Sequence, residues 1–177
     1  MNGSRRSTGR RILITGASRG IGRALSLLLA QRGDRVVLAA RSEAALAELA
    51  QEIRAQGGAA EVLPVDLTDD ASVRAAVARA LSSGPIDVLV NNAGLCVQGE
   101  FLVQPAETCQ TELELNYCGP LRMARALLPA LIARGTGTIV NVSSLVGSIA
   151  SPTTANYGAS KAALEAWSFA LRAELAR

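Results

Sequence analysis

Arg11-Ile12-Leu13-Ile14-Thr15-Gly16-Ala17-Ser18-Arg19-Gly20-Ile21-Gly22 decides how this chain folds. Arg11 to Thr15 is a short apolar run closed by glycine, the pattern of a buried strand. Ile21, Leu25, Leu28 and Leu29 then recur at helical spacing as far as Gln31, and Gly33 stops the helix. Between strand and helix, the glycines allow a tight turn and close approach of the backbone to a pyrophosphate. They also let the helix pack closely on the sheet. The helix N-terminus adds unpaired N–H groups and the positive end of a dipole, which suit phosphate. The spacing is G-x-x-x-G-x-G instead of the commoner G-x-G-x-x-G. Gly16, Ser18, Arg19, Gly20, Ile21 and Gly22 are therefore the candidate contacts to a dinucleotide.

Outward from this unit, strands and helices alternate. Strands are predicted over 35–40, 61–65, 87–90 and 138–142. Helices are predicted over 43–56 (stopped by Gly57-Gly58), 70–82 (capped by Ser72 or Asp69), 107–133, and from about Thr154 to the C-terminus. Such alternation implies an α/β fold with a parallel, doubly wound sheet and helices on both faces. The five strands fit the Rossmann-like order 3-2-1-4-5.

Composition narrows the class. The 177 residues suit one domain, 49% of them hydrophobic and 19% charged. The net charge of +3 owes much to Arg5, Arg6, Arg10 and Arg11, which read as a solvated basic tail over residues 1–10 before a domain spanning 11–177. No basic stripe with interleaved aromatics follows, so nucleic acid is not an expected partner. Arg5-Arg6 runs into a strand, not an apolar signal region, and export is not expected either. Gly135 to Ser160 is the longest uncharged stretch, but it is rich in Ser, Thr, Asn, Gly and Pro. A membrane span needs about twenty mainly apolar residues, so this segment reads as a buried strand followed by an uncharged pocket wall. Cys96, Cys109 and Cys118 are odd in number and lack C-x-x-C spacing, as expected of free thiols in a reducing, cytoplasmic setting. The chain has no histidine, which removes Ser-His-Asp and Cys-His chemistry and the commonest zinc ligand; no metal is expected.

Two further features carry chemistry. The second strand ends in Leu38-Ala39-Ala40-Arg41-Ser42, with an arginine where an acidic residue would hold a ribose 2′-hydroxyl. Arg41 with Arg19 suits a 2′-phosphate, hence NADP in preference to NAD. The only lysine is Lys161, four residues after Tyr157, in a chain whose other basic residues are all arginine. Lys and Arg differ in shape, hydration and pKa, so an ammonium at this one place points to a specific need.

Thr15 to Gly22, Asp66-Leu67, Asn91-Asn92-Ala93-Gly94, Asn116, Ser143-Ser144 and Tyr157 to Lys161 stand together in register, and with them the chain resembles the short-chain dehydrogenase/reductase family in its one-domain form. The resemblance runs from about Arg11 to the C-terminus. It implies that Asp66, with Leu67, contacts the adenine and that Asn92, Ala93 and Gly94 brace the sheet beside the cofactor. It implies a catalytic set of Asn116, Ser144, Tyr157 and Lys161, with Tyr157 and Lys161 also touching the cofactor. The expected reaction interconverts a ketone and a secondary alcohol by hydride transfer. Tyr157 is the general acid or base, favoured as phenolate by the ammonium one helical turn away. Ser144 donates to the substrate oxygen; Ser143 competes for that role, and the family's spacing to the tyrosine selects Ser144. Pro120 lacks an N–H, so the carbonyl of Asn116 is expected to be free for a water in a proton relay. Leu95, Cys96, Val97, Leu145, Ile149 and Pro152 suggest an apolar rim. The two long helices starting near Glu107 and Thr154 are expected to pair in a homodimer. Family members continue beyond the point where this chain stops; without such a continuation the strand over 138–142 is expected to be an apolar edge, and a cofactor-binding but catalytically weak fragment or regulatory protein is the alternative. A purely structural dimer module is a third reading, and the Tyr157/Lys161 pair argues against it.

Overall fold

The computed structural model describes residues 9–176. Five parallel strands form one sheet in the order β3-β2-β1-β4-β5. They are β1 (Arg11–Thr15), β2 (Arg35–Ala40), β3 (Ala59–Pro64), β4 (Val88–Asn91) and β5 (Thr138–Asn141). The helices are α1 (Gly20–Gln31), α2 (Glu43–Ala55), α3 (Asp70–Ser82), α4 (Ala106–Leu113), α5 (Gly119–Arg134) and α6 (Ala155–Leu175).

Alternate residues of a strand face opposite sides of a sheet, and the core divides accordingly. Ile12 and Ile14 of β1, with Val36 and Leu38 of β2, pack in one cluster with Leu46, Leu49 and Ile53 of α2. Leu13, Val37 and Ala39 face the other way, into Val73 and Val77 of α3 and Met123 and Leu127 of α5. Both faces of β1 are thus covered, and every residue of the strand is buried. Burying a side chain such as Leu13 or Ile14 completely contributes about 1.5–3 kcal/mol.

Local signals set the helix ends. Ser42 accepts from Ala45 N–H and Asp69 from Ala71 N–H, so Asp69 is the cap of α3. Ser72 instead accepts the N–H of Asp66, at 3.0 Å. α5 ends where Gly135 turns left-handed, at φ +69°.

Three expectations need correction. The single helix predicted over 107–133 is interrupted by a π-turn, Glu114–Cys118, between α4 and α5. There Gly119 N–H reaches back five residues to Glu114 O, just before Pro120, which has no N–H to continue the α-helical ladder. β5 is not the buried strand its uncharged sequence suggests but the apolar edge expected without a continuation, half-exposed, with Val140 at 42% and β4 as its one neighbour in the sheet. Arg10 and Arg11, grouped by charge with the tail, are anchored. Arg10 pairs with Asp34 at 3.2 Å. Arg11 is buried in β1, where Nε and Nη2 reach the Glu61 carboxylate and Nη1 reaches the carbonyls of Ala80 and Gly84. The rest of the expected tail, residues 1–8, lies outside the described residues.

Candidate active site

The glycine loop is locked to the neighbouring strand exit. Thr15 Oγ1 accepts the N–H groups of Asn92 and Ala93, at 3.0 and 3.1 Å. Asn92 Nδ2 donates to Thr15 O at 2.9 Å. Gly16 has φ +68°, and a Cβ there would lie 2.8 Å from Ala93 Cα. A Cβ on Gly22 would lie 2.4 Å from Gly16 O and 2.5 Å from Asn92 Nδ2. Gly22, in the first turn of α1, is therefore the point where the helix packs against the loop. The residue before α1, Arg19, offers no side-chain cap, so the helix N-terminus keeps free N–H groups for an anion.

This loop forms one wall of an open cleft of about 1110 Å³. Gly16, Ser18, Arg19, Gly20, Ile21, Arg41, Asp66, Leu67, Asn92, Ala93 and Gly94 all line it, which unites every candidate cofactor contact named above except Gly22, Tyr157 and Lys161. Asp66 Oδ1 accepts from Thr68 N–H at 2.9 Å and from Thr68 Oγ1 at 2.8 Å. These bonds, with the nearby Arg41 charge, hold its carboxyl below the usual range. Arg122 and Glu114, which no sequence pattern singles out, line the far wall. Arg122 Nη1 donates to both Glu114 Oε2 (2.8 Å) and the carbonyl of Leu67 (3.2 Å), pinning the strand exit that carries Asp66.

Gly94 joins the cleft to the residues of α6 and the π-turn. A Cβ there would lie 3.1 Å from Asn116 Oδ1 and 3.6 Å from Lys161 Nζ. Asn116 is fully buried in the π-turn, and its amide is spent on protein. Oδ1 accepts from Leu95 N–H, and Nδ2 donates to Leu95 O and Ser160 Oγ, all at 2.8–2.9 Å. Ser160 in turn donates to the carbonyl of Tyr157 at 2.7 Å. The neighbouring turn adds a second clamp on the same loop, with Glu112 Oε1 accepting from Val97 N–H at 2.6 Å.

Lys161 is buried, at 3% exposure. Its Nζ donates to Val142 O at 2.8 Å and lies 5.8 Å from the centre of the Tyr157 ring. Burial lowers its pKa from the ordinary 10.5. Ser143 Oγ donates to Glu165 at 2.6 Å and is thereby committed to α6. The side-chain hydroxyls of Ser144 and Tyr157 donate to and accept from no protein group among the described residues. No group of three or more His, Cys, Asp or Glu capable of holding a metal occurs among the described residues, and the three cysteines are free.

The chain belongs to the short chain dehydrogenase family: the family's model matches residues 10–177. It is 38% identical over 169 residues to the ketoacyl reductase HetN of Nostoc sp., covering 95% of this chain and 59% of that protein. It is 39% identical over 172 residues to the oxidoreductase UcpA of Salmonella typhimurium, covering 96% and 65%. Among solved structures, a gluconate 5-dehydrogenase from Burkholderia cenocepacia, in complex with NADP and tartrate, superposes with a TM-score of 0.92 at 37% identity. That match covers 97% of this chain and 68% of that one. A metagenomic short-chain oxidoreductase in complex with NADP gives 0.89 at 37% identity, covering 94% and 76%. The chain thus spans little more than half to about two thirds of the curated relatives it matches. No helix among the described residues is long and apolar enough to cross a membrane.

Proposed function

We propose that this chain carries the cofactor site and the catalytic residues of an NADP(H)-dependent oxidoreductase that interconverts a ketone and a secondary alcohol. The observation that carries the reading is the uncommitted hydroxyl of Tyr157, whose ring lies 5.8 Å from a buried ammonium that bonds to the carbonyl of Val142, two residues before the equally uncommitted Ser144. A carbonyl oxygen that gains negative charge needs a donor and a proton source. Ser144 is the donor and Tyr157 the acid, or the base in the reverse direction. Lys161 supplies the local positive charge and passes the proton onward, with the backbone of Asn116 holding the water that continues the relay.

The cleft suits a dinucleotide. One wall of it is a glycine loop closed tightly enough that no Cβ fits at Gly16 or Gly22, and Gly20 and Ile21 at the start of α1 line it. Bound there, the nicotinamide supplies or takes up the hydride. Gly16 to Gly22 and the start of α1 take the pyrophosphate, Asp66 and Leu67 the adenine, and Arg41 with Arg19 a 2′-phosphate. Two solved relatives that superpose on this chain hold NADP. Leu145 and Ile149, 79% and 62% exposed, flank the Ser144 turn within an uncharged segment, which favours an apolar ketone. The assembly we assign is a homodimer through α4–α5 and α6; light scattering of a clean monomer overturns it.

The experiment is a pair of substitutions in the full-length protein. Arg41→Asp is expected to reverse the preference for NADPH in a fluorescence titration, because it repels the 2′-phosphate and offers the ribose an acceptor. Tyr157→Phe is expected to leave cofactor binding intact and lower kcat by about a hundredfold to ten-thousandfold. Tighter binding of NADH than NADPH by the parent refutes the cofactor assignment, and near-normal turnover of Tyr157→Phe refutes the mechanism.

A further inference from the structure

α6 holds the segment after β5 at both ends of a single turn. Ser143 Oγ donates to one oxygen of the Glu165 carboxylate at 2.6 Å, and Ser148 Oγ donates to the other at 3.0 Å. Between them, Leu145–Gly147 form a 3-10 turn. The N–H of Gly147 bonds to Ser144 O, and those of Ser148 and Ile149 to Leu145 O, at 2.8–3.0 Å. The turn lies against the helix with no room to spare. A Cβ on Gly147 would stand 3.2 Å from Ala162 N and from Glu165 Oε1, and one on Gly158 would stand 2.8 Å from Val146 O. One helical turn before Glu165, Lys161 ties Val142 O to the same helix. Val142, Ser143 and Ser148 are all fastened to α6, and Ser144 lies within the fastened segment.

We propose that Glu165 is a positioning residue for Ser144: its carboxylate bridges the hydroxyls of Ser143 and Ser148 and so sets where the Ser144 hydroxyl meets the substrate oxygen. This rests on the donor role given to Ser144 above. An ionised carboxylate only accepts, so both flanking hydroxyls are turned toward it. Ser144 has extended backbone, φ −153° and ψ 150°. In an extended segment, neighbouring side chains point to opposite sides. Drawing Ser143 toward the Glu165 carboxylate therefore turns Ser144 away from that carboxylate and leaves its hydroxyl unspent. Glu165 touches neither substrate nor cofactor, and its influence on the reaction runs through one hydroxyl. A shift of about 1 Å in a group that aligns the reacting atoms costs about a hundredfold in rate.

The test is a double-mutant cycle on the full-length protein, with saturating NADPH and a ketone it reduces. Glu165→Ala is expected to lower kcat by about ten- to a hundredfold, with the affinity for NADPH unchanged. Glu165→Gln is expected to recover most of the rate, since its amide still spans both serines, accepting from one and donating to the other. In a Ser144→Ala background, Glu165→Ala is expected to have little further effect. Unchanged kcat in Glu165→Ala, or the same loss in both backgrounds, overturns the inference. If Ser144→Ala itself keeps full turnover, the donor role of Ser144 fails first and the inference falls with it. Amide hydrogen exchange reads the same contact without turnover. Glu165→Ala is expected to speed exchange at Gly147, Ser148 and Ile149 while the β1 and β2 amides keep their protection. Unchanged exchange at the turn, or a rise across the whole sheet, overturns the positioning role.

Discussion

Replacing Gly22 by alanine tests whether the glycine loop is a steric device or only a flexible one. Gly22 is helical, so its backbone does not require glycine; the space around it does. The added methyl would lie 2.4 Å from Gly16 O, 2.9 Å from Gly16 C and 2.5 Å from Asn92 Nδ2. Two of those atoms are backbone, and the third already donates to Thr15 O at 2.9 Å. Nothing there can swing aside, so α1 must move off the sheet or the loop must rise by about 1 Å to reach ordinary contact near 3.5 Å. Overpacking of this kind costs about 1–3 kcal/mol, and losing the Asn92 bond adds about 1 kcal/mol. The expected total is about 2–4 kcal/mol in urea unfolding. The displaced loop also lines the cleft and, on the proposed function, takes the pyrophosphate, so affinity for NADPH is expected to fall with it, by tenfold for each 1.4 kcal/mol that binding shares. Gly33→Ala separates the two effects. Gly33 lies at the far end of α1 with φ +88°, and a methyl added there would meet nothing within 4 Å. It is expected to lose about 1 kcal/mol through backbone strain alone, with NADPH affinity unchanged. An affinity for NADPH within twofold of the parent in Gly22→Ala would refute the steric argument.

Arg11→Met removes four hydrogen bonds from a buried guanidinium. It is expected to cost about 3 kcal/mol at pH 7. The Arg11 bonds hold the Glu61 carboxyl below its ordinary 4.5, so that stabilisation is present above about pH 4.5 and lost as pH falls through the folded value. The gap between parent and variant in urea titrations should therefore narrow in acid, and a gap independent of pH contradicts the assignment. Lys161→Met should abolish turnover yet raise stability at neutral pH by about 1 kcal/mol, since a buried charge without an ionic partner is replaced by an apolar chain. Unfolded Lys161 keeps its proton up to about 10.5 while the folded residue releases it earlier. The parent thus gains stability as pH rises between those values, and the variant's thermal advantage should shrink there. Thr153 is the one non-glycine residue with positive φ among the described residues, at +64°. Thr153→Gly should raise Tm by relieving about 1 kcal/mol of strain; a lower Tm means that the threonine side chain contributes more than its backbone loses.

The sheet and the cleft at its strand exits are legible in the sequence because they rest on local patterns: apolar runs, helical periodicity and glycines at strand exits. Asp69 and Ser72 show the limit of that kind of reading. Either serves as a cap by position, and only the packed chain assigns Asp69 to α3 and Ser72 to the N–H of Asp66. The π-turn is half legible. Pro120 announces a break in hydrogen bonding but not whether the helix bends or widens. Widening puts Asn116 where its amide meets Leu95 and Ser160, contacts across 21 and 44 residues of chain that no spacing rule encodes. Arg11 escapes a reading by charge because counting places it with its neighbours, Arg5, Arg6 and Arg10. Its burial depends on Glu61, Ala80 and Gly84 arriving from three later segments. Glu165 carries a faint signal, one turn beyond Lys161 on the same helix, but the two serines it holds come from another element.

The ion pairs Arg10–Asp34, Arg11–Glu61 and Arg134–Asp87 gather where strands β1, β2 and β4 begin or beside their neighbours, whereas the segment that follows β5 carries no charge until Lys161. The strand-exit end is therefore divided: the cleft keeps Arg19, Arg41, Asp66 and the Arg122–Glu114 pair, while the segment after β5 is uncharged. Added salt or acid reaches the ion pairs at the strand starts and the charged cleft alike, and an organic cosolvent acts first on the uncharged segment, where Leu145 and Ile149 stand exposed.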